Sequence, residues 1–391
     1  MSELIPPSVR SHAALGFTAA AAVGKLALQV CEACGALQYP ARETCVSCLS
    51  DQLTWREHNG AGALIAATTV HHSNHPYFQQ RAPWNIGLVR LAGDVTVVAH
   101  LHHQCLKSRD TVRIRALLDR GGRAALVAFP IDATQAAVAD PQVLEMTCSP
   151  KHKQILVTDG TSELGQALIE SLLAAGAEVI WSGSPPQSRA SNSRSNIRPV
   201  SLDLTRAESV AAAAAQLGAQ VDIVINNAEI HGDPTASPAN DVELAQAQMD
   251  TNYLGLVRLA NALTPQLLQR AKHKNTRPCA WVNVLSIYAL ANLSAHGSFC
   301  ASKAAALSFA QCLRAQLRTS GVRVLNIFPG PLDEPAFDDL PQPKLRPAAL
   351  AHAITAALES GQEDCYPGPV AQDFLRRWRA DPKVLELELQ P

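Results

Sequence analysis

Two CxxC pairs set ten residues apart constrain this chain more than any other feature. Cys31 and Cys34 form one pair, Cys45 and Cys48 the other. A CxxC turn aims two thiolates at one point, and two such knuckles complete a tetrahedral S4 shell for a zinc ion. Four thiolates leave no open coordination position, so a zinc held this way is structural. Gly35, directly after the first pair, suits a tight knuckle. A thioredoxin-type dithiol would come singly, at a strand–helix junction; an iron or iron–sulfur centre is the alternative occupant.

The 391 residues are enough for two or three domains. With 47% hydrophobic and 17% charged residues, the chain can bury substantial cores. A formal charge of −1 excludes a globally basic nucleic-acid coat, and ten cysteines in so long a chain do not make a disulfide scaffold. No uninterrupted apolar run is long enough to span a bilayer. AALGFTAAAAVG at 13–24 has some character of a secretory apolar region, but Lys25 and the thiol cluster follow at once. The expectation is an amphipathic helix within residues 1–30 and a reducing cytoplasm.

Between residues 51 and 130 the pattern turns to short β-type runs: 62–72, 86–91, 95–101, 112–118 and 124–130, with Ala92-Gly93-Asp94 as a hairpin turn. Five such runs predict a small barrel or sandwich. His71, His72, His75, His100, His102 and His103 are read as histidines of a ligand-facing surface rather than a second metal site, because alternation sends them to opposite faces. Residues 136–151 read as a linker.

The stretch KLALQVCEACGALQYPARETCVSC, then NGAGALIAATTV, then PWNIGLVRLAGDVTVVAHL, resembles the zinc-ribbon/OB-fold accessory family that accompanies thiolases and related acyl-CoA enzymes. The resemblance implies a helix and zinc ribbon over 1–50 and an OB barrel over 51–135. It also implies binding of an acyl-CoA and docking on a thiolase-like partner. Residues 51–135 carry nine Lys/Arg against six Asp/Glu, a mild excess that suits coenzyme A phosphates. Single-strand binders interleave a cationic groove with stacking aromatics, whereas Trp55, Tyr77, Phe78, Trp84 and Phe129 are scattered, so an OB nucleic-acid binder is the third choice.

From residue 152 the grammar is β-α-β: strands at 154–158, 178–182, 222–226, 280–286 and 322–328, with helices at 166–176 and from about 300. This alternation predicts a doubly wound, Rossmann-type parallel sheet. TDGTSELG (158–165), LDLT (202–205), INNAE (225–229), Asn252, Ser286, FCASK (299–303) and FPGP (328–331) occur in the order of the short-chain dehydrogenase/reductase family, which residues 152–391 resemble.

The resemblance assigns Thr158, Gly160, Gly165, Asp203 and Asn226 to a nicotinamide dinucleotide and Asn252, Ser286 and Lys303 to catalysis. Three departures fall on the chemistry. Asp159 and Glu163 replace two glycines of the phosphate turn, where carboxylates repel a diphosphate. Phe299 stands where the family has its acid/base tyrosine, and a phenyl ring transfers no proton. Tyr288 lies at the wrong offset from Lys303 to substitute. Glu229 replaces a glycine beside the cofactor, and Ser182-Gly183-Ser184 offers no carboxylate for an NAD ribose. Arg189, Arg194 and Arg198 could face a 2′-phosphate or simply solvent.

These features predict a non-catalytic subunit of an acyl-CoA-processing complex, its dehydrogenase-like half degenerate and used for assembly. Long helices around 250–271 and 302–318 would pair with a second copy or with a competent short-chain dehydrogenase. The alternative is an active NAD(P)-dependent 3-hydroxyacyl-CoA dehydrogenase.

Overall fold

The computed structural model describes residues 5–7, 11–106, 111–131, 140–186, 194–231, 242–272, 278–338, 340 and 343–390. Arg189 lies outside them. The chain divides into two compact units. The first is Met1–Cys148 with Arg318–Gly321 and Glu359–Glu363, and the second is the remainder.

In the first unit, α1 covers only Leu15–Ala22. Gly24 adopts φ 76° and ends it, and the chain continues as strand β1, Ala27–Cys31. The helix expected within the first thirty residues is therefore about two turns long. β1 pairs antiparallel with β2 (Leu37–Gln38) and β3 (Leu53–Glu57), with Gln29 opposite both Gln38 and Trp55.

The five runs that follow are strands of a closed barrel: β4 (Ala61–Val70), β5 (Trp84–Leu91), β6 (Thr96–Leu101), β7 (Thr111–Leu118) and β8 (Ala124–Pro130), in the order β4-β5-β6-β8-β7. The short α2 (Pro76–Gln79) lies between β4 and β5. Alternation fills the interior with Val97, Ala99 and Leu101 from β6 and Val112, Ile114 and Ala116 from β7, while Arg113 and Arg115 face out. Gly60 (φ 74°) lets the chain enter β4 against β7, where a Cβ would lie 2.1 Å from the Ile114 carbonyl. Of the segment read as a linker, the described part carries α3 (Pro141–Leu144), with Val143 and Met146 buried against Trp84, Val127 and Phe129.

The second unit is a seven-stranded parallel sheet, β11-β10-β9-β12-β13-β14-β15. The strands are β9 (Gln154–Val157), β10 (Val179–Ser184), β11 (Ile197–Ser201), β12 (Ile223–Asn226), β13 (Ala280–Val284), β14 (Arg323–Ile327) and β15 (Asp364–Cys365). Its helices are α4 (Glu163–Ala174), α5 (Ala207–Leu217), α6 (Val242–Gln248), α7 (Gly255–Ala271), α8 (Gly297–Arg318), α9 (Pro347–Ser360), α10 (Gly368–Ala380) and α11 (Pro382–Glu388). A π-type turn, Met249–Leu254, joins α6 to α7.

The central strands are continuous apolar runs because helices cover both faces. A buried pair, Asn283 Nδ2 donating to Asn326 Oδ1 at 3.0 Å, ties β13 to β14. The apolar stripe of α8 is core here: Ala306, Ala310, Leu313 and Leu317 are buried. The strand order reverses between β9 and β12, and the crevice above their carboxyl ends is where a ligand of this architecture sits.

Candidate functional site

The four cysteines converge. Cys31 Sγ lies 3.6 Å from Cys48 Sγ, and Cys34 Sγ lies 3.6 Å from Cys45 Sγ. Thiolates 2.3 Å from a tetrahedral zinc stand about 3.8 Å apart, so the shell fits the ion. The two knuckles repeat each other. Gly35 N donates to Cys31 O at 2.8 Å and Leu49 N to Cys45 O at 3.0 Å, and the residue after each pair is left-handed, φ 73° and 62°. Backbone amides of Cys48 and Ser47 lower the Cys45 thiol, while the neighbouring sulfurs of Cys48, Cys45 and Cys31 raise that of Cys34, so the four share their protons unequally without a metal.

Two buried glutamines hold the loop between the knuckles. Gln38 Nε2 donates to Gln29 Oε1 at 3.0 Å, Arg42 N donates to Gln29 Oε1 at 2.8 Å, and Val46 N donates to Gln38 Oε1 at 3.0 Å. Nothing in the local sequence singled them out, because the pair forms only when β1 and β2 come together.

The histidines disperse. His71 and His72 are exposed beyond β4, His75 caps α2, and His100 accepts from Trp84 Nε1 at 2.7 Å. His102 and His103 do approach Asp140, a grouping sequence reading missed. That carboxylate already accepts from the backbone amides of His103, Gln142 and Val143 and contacts His103 Nδ1 at 2.8 Å, so it serves as the cap of α3. Tyr77, Trp84 and Phe129 are buried, and Phe78 is half-buried with its edge against Trp84, so these rings offer no row of stacking platforms.

In the second unit the glycine-poor turn after β9 closes on itself. Asp159 Oδ1 accepts from Thr161 N at 2.9 Å, Thr161 Oγ1 at 2.7 Å and Ser162 N at 3.2 Å. Ser162 Oγ caps α4 by accepting from Gly165 N at 3.1 Å. Two amides of the turn, those of Thr161 and Ser162, are thus satisfied by a carboxylate of the chain itself. Gly165 remains necessary, since a Cβ there would fall 1.9 Å from the Asp159 carbonyl.

Thr158 Oγ1 lies 3.3 Å from Asn226 Oδ1 and accepts from Asn227 N at 3.0 Å. Asn227 Nδ2 donates to Asp159 O at 2.7 Å, clamping the turn to the end of β12. Gly160 N donates to Gly183 O at 2.8 Å, which fastens the same turn to β10. Asp203 Oδ1 accepts from Thr205 N and Oγ1. Arg194 pairs with Glu170, and Arg198 stacks over Trp181, so neither faces the crevice as a phosphate ligand would.

Asn252 is held by both its functions. Oδ1 accepts from Ile230 N at 2.8 Å, and Nδ2 donates to Ile230 O at 3.1 Å and Ser302 Oγ at 2.9 Å. Ser286 Oγ accepts from Tyr288 N at 3.2 Å, and the buried Tyr288 ring packs edge-on against Phe374 of α10. Phe299 is 2% exposed, with Lys303 Nζ 5.5 Å above its ring.

Lys303, itself buried, donates to Val284 O at 3.1 Å and forms an ion pair with Glu229. Glu229 also meets His231 Nε2 at 2.7 Å. Burial by itself would raise the Glu229 carboxyl, but Lys303 and His231 together bring it down to about 2. Asp159 thus holds the Thr161 and Ser162 amides, and Glu229 holds the Lys303 ammonium.

Glu334 adds a fourth carboxylate. Its Oε1 is buried without a hydrogen-bond partner, and burial followed by Glu229 raises it to about 7, with Glu163 and Asp159 adding to the effect and His231 opposing it. In the unfolded chain the group ionises near 4.5. Between those values the folded protein keeps a proton the unfolded one has released, so stability falls as pH rises from 4.5 through 7. Glu334→Gln, which mimics the protonated acid, is expected to stabilise the second unit at pH 8 by about 1–2 kcal/mol, allowing for partial screening, and to change little at pH 5. Equal shifts in urea unfolding at the two pH values would contradict this.

The architecture is that of a zinc ribbon and OB-type barrel joined to a dinucleotide-fold oxidoreductase. The short chain dehydrogenase family model matches residues 153–344, the ChsH2 rubredoxin-like zinc ribbon model residues 18–54, and the ChsH2 C-terminal OB-fold model residues 55–117. The chain is 33% identical over 201 residues to 1-deoxy-11-beta-hydroxypentalenate dehydrogenase of Streptomyces exfoliatus, covering 48% of this chain and 70% of that one. It is 31% identical to an uncharacterized oxidoreductase of Myxococcus xanthus, covering 46% and 72%. A short chain dehydrogenase from Burkholderia cenocepacia, solved in complex with NADP, matches with a TM-score of 0.57 at 33% identity, covering 62% of this chain and 99% of that one. The chain belongs to the short-chain dehydrogenase family and carries ChsH2-type zinc-ribbon and OB-fold domains ahead of that fold.

Proposed function

We propose that this protein is an accessory subunit of a cytoplasmic acyl-CoA-processing assembly, in which residues 1–135 dock a thiolase-like partner and present a path for the acyl-CoA. The dehydrogenase-like half contributes to assembly and transfers no hydride. The observation that carries the docking role is an exposed apolar row on the barrel. Leu88 pairs with Val98 across β5 and β6, and the bulged Ile65 of β4 adjoins them. These side chains belong to residues 40%, 59% and 49% exposed. Val46 and Leu49 beside the second knuckle are exposed as well. A run of this kind on a soluble barrel marks a protein contact.

An apolar recess of about 150 Å³, with Phe17, Leu28, Tyr39, Pro40 and Trp55 in its lining, suits the acyl end of a thioester. Zinc held by Cys31, Cys34, Cys45 and Cys48 keeps the ribbon rigid beside the recess. Phe299 and the Glu229–Lys303 pair support the silence of the second half.

The test is affinity purification of the tagged full chain from its native host. A thiolase-fold protein identified by mass spectrometry should accompany it, and Leu88→Asp with Val98→Lys should release that protein while zinc content and folding persist. Absence of such a protein, or its retention by the double variant, overturns the docking reading. The competing reading, an active hydroxyacyl-CoA dehydrogenase, has the NADP complex of the 33% identical relative in its favour, and dinucleotide binding together with oxidation of a 3-hydroxyacyl-CoA by the unaltered chain would establish it.

A further inference from the structure

We infer that Glu229 is a built-in occupant of the dinucleotide crevice, a carboxylate that takes the place of the bound anion as counter-charge to Lys303 and so makes the empty crevice the stable form. The inference rests on the silent-dehydrogenase reading and deepens it by naming the residue that decides binding.

Lys303 sits in α8 with its side chain 3% exposed, and a buried ammonium requires a counter-charge. A crevice that waits for an anionic ligand would leave that charge to the ligand. Here the loop after β12 supplies it. Glu229 meets Lys303 through one oxygen and His231 through the other, with side-chain exposures of 15%, 3% and 11% for the three residues. The His231 ring is fixed in turn by aromatic neighbours, 4.3 Å from the Phe299 centroid and 4.5 Å from that of Phe337. Asn252 pins Ile230, between Glu229 and His231, through both backbone groups. The carboxylate is therefore placed by five surrounding residues rather than swinging free. A diphosphate approaching this crevice meets the carboxylates of Asp159, Glu163 and Glu229, and Lys303 is already paired with Glu229.

The experiment uses the full chain and three variants, Glu229→Gly, Glu229→Gln and Glu229→Gln combined with Lys303→Met. Thermal unfolding and fluorescence titration are followed with NADPH and NADH as probes. The unaltered chain should show no shift with either. Glu229→Gly and Glu229→Gln should each lose about 5 °C or more without ligand, because an uncompensated buried ammonium remains. Both should regain stability with NADPH or NADH and bind at least about tenfold more tightly than the unaltered chain. The doubly neutral variant should lie closer to the unaltered chain in melting temperature and gain no ligand response.

If Glu229→Gly fails to fold, Glu229→Gln reads the same effect, since it keeps the side chain's size and removes only its charge. Folded single variants that neither lose stability nor gain binding, beside an unaltered chain that also binds nothing, overturn the role of Glu229 alone. Tight binding by the unaltered chain instead overturns the silent-dehydrogenase reading.

Discussion

Replacing Cys45 with Ser should remove most of the bound metal and unfold the zinc ribbon, leaving the second unit folded. Cys45 is fully buried at the centre of the S4 shell, and its backbone also anchors the second knuckle through Leu49 N. An isolated structural zinc contributes apparent binding energies of about 10–16 kcal/mol that are simultaneously folding energy. Three thiolates retain part of it, so the expected loss is several kcal/mol, enough to melt three short strands whose own core is small. Metal analysis should fall from about one zinc per chain to a small fraction, and protease should cut between residues 31 and 53. Cys105→Ser is the control. That thiol is buried in the barrel, donates to Ala128 O at 3.5 Å and lies outside the ribbon, so zinc should be retained. A folded, freshly purified chain without zinc would defeat the assignment.

The second large effect concerns activity. The purified chain with NADH or NADPH and a 3-oxoacyl-CoA should show no turnover above background, and Phe299→Tyr should not restore it. Proton transfer by a positioned side chain contributes about 10²–10⁴-fold, and Phe299 cannot supply it. Tyr288 cannot stand in, because its ring is turned into the core against Phe374. Returning a hydroxyl at 299 leaves Asp159 on the turn amides and Glu229 on Lys303, so cofactor binding is not expected to return with it. Adding Asp159→Gly, Glu163→Gly and Glu229→Gly to Phe299→Tyr is the combination expected to recover binding. Measurable oxidation of a 3-hydroxyacyl-CoA by the unaltered chain would show that the crevice has kept its chemistry by another route.

Local chemistry explains what the sequence by itself determined. A CxxC turn is nearly closed by covalent geometry, so the spacing of Cys31, Cys34, Cys45 and Cys48 was enough to place the four sulfurs together. Period-two alternation marked the barrel strands, and long apolar runs marked a sheet covered on both faces, because those patterns record burial directly. That Phe299 stands at the position of the family's tyrosine was legible from its offsets to Ser286 and Lys303. Helix length was less legible: the Ala-rich start suggested a longer helix than α1, and only the left-handed Gly24 showed where it stops.

Tertiary structure decided the partners. Asp159 looked like a repulsive charge in sequence, and the fold turned it onto Thr161 and Ser162 as an internal cap. Glu229 looked like a lost glycine, and the fold made it the counter-ion of a lysine from a distant helix. His231 and Glu334 carried no signal beyond being titratable residues near the family motifs, and the glutamine pair beneath the ribbon carried none at all. In each case the determining quantity is which groups lose water together. A buried charge or amide must be satisfied by whatever the packed chain brings within reach, and segments far apart in sequence meet only after the sheet and its helices have assembled.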